Sequence, residues 1–84
     1  MPRALATHGW HFPSDQRNEV LVSLRARRAS VRDHGCNYWV FEDPRTPGVI
    51  LEFLEGPDTT TVITAREAAG LGEAGDAIFL EVEF

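Results

Sequence analysis

Lysine is missing from this chain: all eight of its basic residues are arginine. Set against thirteen acidic groups, they leave a formal net charge of −5. The carboxylates are scattered, not gathered in a tail, so the balance speaks for solubility and against binding phosphate backbones; nucleic acid is not an expected partner. Cysteine is nearly absent. Cys36 stands alone, which excludes a disulfide within the chain. A bridge between two chains is not the default in a reducing compartment. Long apolar runs are lacking as well. No stretch approaches membrane-spanning length, and no N-terminal run has the charged, apolar and small-residue order of a signal peptide. The expected location is the cytoplasm, with no membrane partner.

Motifs of common chemistries are missing too. Gly70-Leu71-Gly72-Glu73-Ala74-Gly75 precedes a predicted strand, so it lacks the helix N-terminus of a phosphate cradle. No Gly-x-Ser-x-Gly elbow occurs. His8 and His11 are three apart on a predicted strand and point to opposite faces, so they cannot share one ion; no metal site is expected. Cys36, beside an aromatic strand, is read as a buried inert thiol.

The 84 residues suffice for one domain, residues 1–84, with a modest core that association would reinforce. Arg3–Phe12 reads as a first strand, with Ala4, Ala6, His8, Trp10 and Phe12 on one face. Gly9 weakens it. Ser14 is placed to cap a helix running to about Asp33, which Gly35 would end in a left-handed conformation. Val20, Leu21, Leu24 and Val31 form its apolar stripe. Arg25, Arg27, Arg28 and Arg32 cluster on that helix, as a solvated face or a phosphate site. Arg28 falls inside the stripe, where its stem lies on the core with its head in water, or reaches into a ligand cavity.

Asn37–Glu42 is rich in aromatic and β-branched residues and predicts a second strand. Asp43 to Gly48, with two prolines and a glycine, predicts a turn, and Val49–Glu55 a third strand in an antiparallel hairpin. Asp58 could cap a helix ending near Gly70, although the β-branched run Thr59–Thr64 also suits a strand. Gly70–Asp76 reads as a loop and Ile78–Phe84 as the last strand, with Ile78, Leu80, Val82 and Phe84 on one face.

The order β-α-β-β-α-β predicts an α+β, ferredoxin-like fold: a four-stranded antiparallel sheet with both helices on one face. Strands one and three would be central. Val49, Leu51 and Phe53, with Ile78, Leu80, Val82 and Phe84, are expected under the helices. Ile50, Glu52, Leu54, Phe79, Glu81 and Glu83 are then on the open face, joined by either Tyr38 with Val40 or Trp39 with Phe41. Such a face is too apolar for plain surface and predicts a homodimer with sheets packed face to face. On it, Glu52 and Glu81 would flank His8 or Trp10, with Tyr38 one strand further out. His8 beside a carboxylate is a candidate general base, and Trp10 and Tyr38 could stack on a flat ligand. The plain alternative is that the glutamates form interface pairs or stay wet.

The run Gly35-Cys-Asn-Tyr-Trp-Val-Phe-Glu-Asp-Pro-Arg-Thr-Pro-Gly-Val-Ile-Leu-Glu-Phe-Leu-Glu55 carries a resemblance: a helix-ending glycine, an aromatic strand, an Asp-Pro turn and an apolar strand ending in Glu. The chain resembles the dimeric α+β barrel superfamily, in particular small proteins of the antibiotic biosynthesis monooxygenase type. It departs from that pattern at Gly56, where Trp is common, and in having no His between Pro57 and Gly70. The Asn, Trp and His set of haem-degrading members has no counterpart. The resemblance implies a homodimer and a cavity for an aromatic or polyketide-like compound. It also implies oxidation without metal or flavin, or isomerisation, so no cofactor. The alternative is a non-catalytic ligand-binding or assembly module of the same fold.

Overall fold

The computed structural model describes residues 2–71 and 77–84. Strand β1 spans Ala4–His11, a 3₁₀ turn Ser14–Gln16, helix α1 Arg17–Asp33, β2 Asn37–Glu42, β3 Val49–Gly56, α2 Thr59–Ala68 and β4 Ile78–Leu80. All four strands pair antiparallel in the order β2-β3-β1-β4. This is the predicted α+β, ferredoxin-like arrangement, with β1 and β3 central.

Helix α1 presents Val20, Leu24, Arg27 and Val31 to the sheet at offsets of four, three and four, one face of a 3.6-residue period. Leu21, expected in that stripe, is more than a third exposed. Ser14 is not the cap of α1: the chain enters through the 3₁₀ turn that Ser14 opens, and the helix proper starts three residues later with Gln16 at the cap position. Gly35 (φ +75°) ends α1 as expected, and the Cys36 amide donates back to the Val31 carbonyl. In α2 the cap wins over β-propensity: the Asp58 carboxylate accepts from the Thr61 amide at 2.7 Å, and Val62 and Ala65 are fully buried. Ala4 and Ala6 are small where α2 crosses β1, and they join Val31, Leu54 and Val62 in the main core.

Two expectations about the sheet are corrected and one open alternative is decided. The phase of β3 is reversed: Ile50, Glu52 and Leu54 lie under the helices, and Val49, Leu51 and Phe53 face away. Both phases are apolar enough to be core, and the sequence alone makes the one containing Glu the natural choice for the open side. Burial of Glu52 becomes feasible because three other elements supply donors to it. The last strand is shorter than expected. It ends at Leu80, and Val82 and Phe84 are exposed, not packed under helices. Of the two options for β2, Trp39 and Phe41 take the open face and Tyr38 and Val40 the helix side. Residues 72–76 of the expected glycine-rich loop lie outside the described residues.

The β2–β3 turn is locked onto the end of β1. Gly48 (φ +94°) accepts from the Phe12 amide at 3.0 Å and donates its own amide to Glu42 at 2.8 Å. A Cβ at this position would come within 2.4 Å of the Phe12 carbonyl oxygen. Gly48→Ala therefore combines a positive φ with a backbone clash. It is expected to destabilise the fold by at least about 2 kcal/mol, read as a lowered urea midpoint.

Candidate functional site

Glu52 is completely buried, at the centre of β3 and beneath α1. A buried carboxylate is tolerated only when its lone pairs are filled and its charge is met. Both conditions hold. Arg27 of α1 places one guanidinium nitrogen 2.7 Å from Oε1 and 2.9 Å from Oε2. The Trp10 indole N–H of β1 donates to Oε2 at 2.7 Å. The Tyr38 hydroxyl of β2 donates to Oε1. Each oxygen thus accepts two hydrogen bonds, close to the full capacity of a carboxylate. Glu52 is a filled acceptor that orients an indole, a phenol and a guanidinium.

Burial, then the hydrogen bond to Glu52 and its charge, push the Tyr38 phenol well above its usual value of 10. The folded state therefore holds this proton where the unfolded chain has lost it. Its contribution is intact below pH 10 and declines as pH rises further. Tyr38→Phe is expected to flatten the loss of stability between pH 9 and pH 11 seen in the parent chain, measured by urea unfolding at each pH.

His8 is the β1 residue directly opposite Glu52 and so shares the helix side of the sheet. His8, Trp10, Tyr38 and Glu52 are thereby brought together, but beneath the helices and not on the open face. Glu81 is not with them. It lies on the opposite face just beyond β4, bridged to Arg3 at 2.9 Å, and Arg3 also holds Glu55 at 2.8 Å. Two carboxylates on opposite faces of a sheet cannot flank one ligand. Arg28 is also separate. It is exposed and lines a groove of about 440 Å³ between α1 and β2, with Arg25, Arg32, Leu21, Leu24 and Val40. The arginine that reaches inward is Arg27, which sequence reasoning missed. Its signal was the spacing 20, 24, 27, 31.

The open face carries Trp39, Phe41, Val49, Leu51 and Phe79, each between about a third and two thirds exposed. Phe41 packs edge-on against Phe53 at 5.6 Å between ring centres. The Cys36 thiol is buried, its pKa raised by that burial, and it packs against Gly56, where a Cβ would approach its sulfur to 2.9 Å. No helix among the described residues is long and apolar enough to cross a membrane.

No protein-family model and no curated protein matches the chain. Two solved structures do. The crystal structure of an antibiotic biosynthesis monooxygenase superposes with a TM-score of 0.65 at 19% identity, covering 100% of this chain and 99% of that one. The chain shares the fold of that protein. The structure of Rv0793 from Mycobacterium tuberculosis superposes with a TM-score of 0.56 at 16% identity, covering 100% of this chain and 96% of the other. Near-complete coverage both ways means that the likeness in fold spans the whole chain.

Proposed function

We propose that the chain works as a homodimer, its open sheet faces packed together, and that each subunit handles an aromatic or polyketide-like small molecule. The observation that carries this reading is the apolar open face. Five large apolar side chains stand exposed there on one sheet surface, a pattern that marks an interface. The small-molecule part rests on the fold shared with an antibiotic biosynthesis monooxygenase and on the aromatic, charged cluster under the helices. In this reading His8 is the group that exchanges a proton with the ligand, and Glu52 is a positioning residue that fixes the neighbouring field. Trp10 and Tyr38 offer flat faces to a ring, and Arg28 stands at the outer groove. Glu81, bridged to Arg3, belongs to the interface. The chemistry proposed is oxidation by dioxygen without metal or flavin, or an isomerisation.

One observation favours a second reading, binding without turnover: the oxygens of Glu52 are already filled by Arg27, Trp10 and Tyr38. The test is a titration with hydroxylated polycyclic aromatic compounds, following tryptophan fluorescence and oxygen uptake, with product analysis for isomers. Turnover that falls about a hundredfold or more in His8→Ala while binding persists supports the enzyme. Quenching without turnover supports the binding module. Neither signal would overturn the small-molecule reading.

A further inference from the structure

Helix α1 carries four arginines between positions 25 and 32, and the fold divides them. Arg27 turns inward to Glu52. Arg25, Arg28 and Arg32 follow at offsets of three and four, so they share one row of the helix surface. Like charges at that spacing repel and destabilise the helix that bears them. The chain has thirteen carboxylates. Yet among the described residues the ion pairs engage Arg3, Arg17, Arg27 and Arg45 and give no carboxylate to these three. A positive strip thus stands on a protein of net charge −5, and no ion pair among the described residues offsets its self-repulsion.

The row is more than a solvated face. It forms one wall of the groove of about 440 Å³ between α1 and β2, within the roughly 300–1,000 Å³ of small-molecule sites. The floor is apolar: Leu21 and Leu24 come from α1 and Val40 from β2. The Tyr38 ring also lines it, and its hydroxyl is tied to Glu52, so that wall is fixed. Trp39, 45% exposed, borders the groove from the edge strand and offers a flat face. Guanidinium groups pair with carboxylates and phosphates through two hydrogen bonds and are weakly hydrated for a cation. An inorganic ion would use the arginines and leave the floor wet. A neutral ring would use the floor and leave three charges unmet.

The geometry points to a binding site for an organic anion in this groove, its aromatic body on Leu21, Leu24 and Val40 and its carboxylate or phosphate head held by Arg25, Arg28 and Arg32. The inference rests on the small-molecule reading and deepens it by assigning the molecule a charge. Tyr38 is shared by the groove and the Glu52 cluster, so the anchored head and the buried groups are joined through one side chain. An anion bound there also relieves the repulsion along α1, so occupancy stabilises the folded chain.

Isothermal titration of the full chain with α-naphthyl phosphate, α-naphthol and inorganic phosphate tests this. The first probe has both head and body, and the others have one each. The expected dissociation constant for α-naphthyl phosphate is lower than either by about tenfold or more, and it rises with added salt. Arg25 and Arg28 are exposed, so Arg25→Gln/Arg28→Gln should keep the parent's urea midpoint or raise it. In that variant the advantage of the phosphate over α-naphthol should vanish, while α-naphthol binds as before. Arg25→Lys/Arg28→Lys keeps the charge without the paired donors and should retain part of the advantage. A parallel titration with α-naphthoate tells a carboxylate head from a phosphate head, and preference for either over α-naphthol supports the site. Equal affinity for α-naphthyl phosphate and α-naphthol overturns the anion site and leaves the small-molecule reading standing. An advantage that survives the glutamine variant does the same. Failure of all four probes to bind overturns both. A dimer that the glutamine variant dissociates, seen by light scattering, gives the groove to a second copy and contradicts the inference.

Discussion

Arg27→Met is expected to destabilise the fold by roughly 3 kcal/mol at neutral pH, because it leaves the fully buried Glu52 carboxylate without its cation. The pH dependence of that deficit identifies the cause. A buried carboxylate deprived of its partner is driven toward the neutral acid, which needs no counter-charge. The variant should therefore fall furthest below the parent above the carboxylate range, and the gap should narrow as pH drops toward 5. Urea unfolding at pH 5 and pH 8 measures both. The double variant Arg27→Met/Glu52→Leu should be more stable than Arg27→Met alone at pH 8, since an apolar pair removes the unmet charge. It should still fall short of the parent, because Trp10 and Tyr38 lose their acceptor. A deficit that is the same at both pH values would mean that Arg27 acts only by packing.

Leu51→Glu is expected to separate subunits without unfolding them. Leu51 is 40% exposed on the open face of β3, so a charge there is hydrated in the single chain. In a face-to-face dimer the same charge would be buried opposite its own copy or another apolar side chain. Dimerisation should then weaken by about a hundredfold or more, with little change in the urea midpoint measured at low protein concentration. Leu54→Glu is the internal contrast. That residue is buried beneath the helices, and a charge there should unfold the chain.

Elements were legible where two independent signals agreed. Asn37–Glu42 combined β-propensity with a helix-ending glycine before it and a proline turn after it, and its bounds match the structure. Helix α2 was ambiguous because Thr59–Thr61 are β-branched, and the Asp58 cap with Gly70 decided it. Which face of β3 is the core was not legible. Alternation assigns faces but not sides, and both faces of Val49–Leu54 are apolar; the deciding fact, an arginine arriving from α1 to meet Glu52, is a tertiary one. The same gap displaced the candidate site. His8, Trp10, Tyr38 and Glu52 were grouped by strand order, and the structure groups them too, but on the helix side. Glu81 was separated from them by the reversed β3 phase. Counting Leu21 in the stripe rotates the inferred face by one residue and puts Arg28, not Arg27, inside it.

The central claim, a homodimer that holds a small molecule, is tested most directly by native mass spectrometry of the freshly purified protein. The account predicts twice the chain mass, with an additional small mass or one acquired on mixing with a hydroxylated polycyclic aromatic compound. A bare monomer at micromolar concentration, unchanged by such compounds, would contradict it.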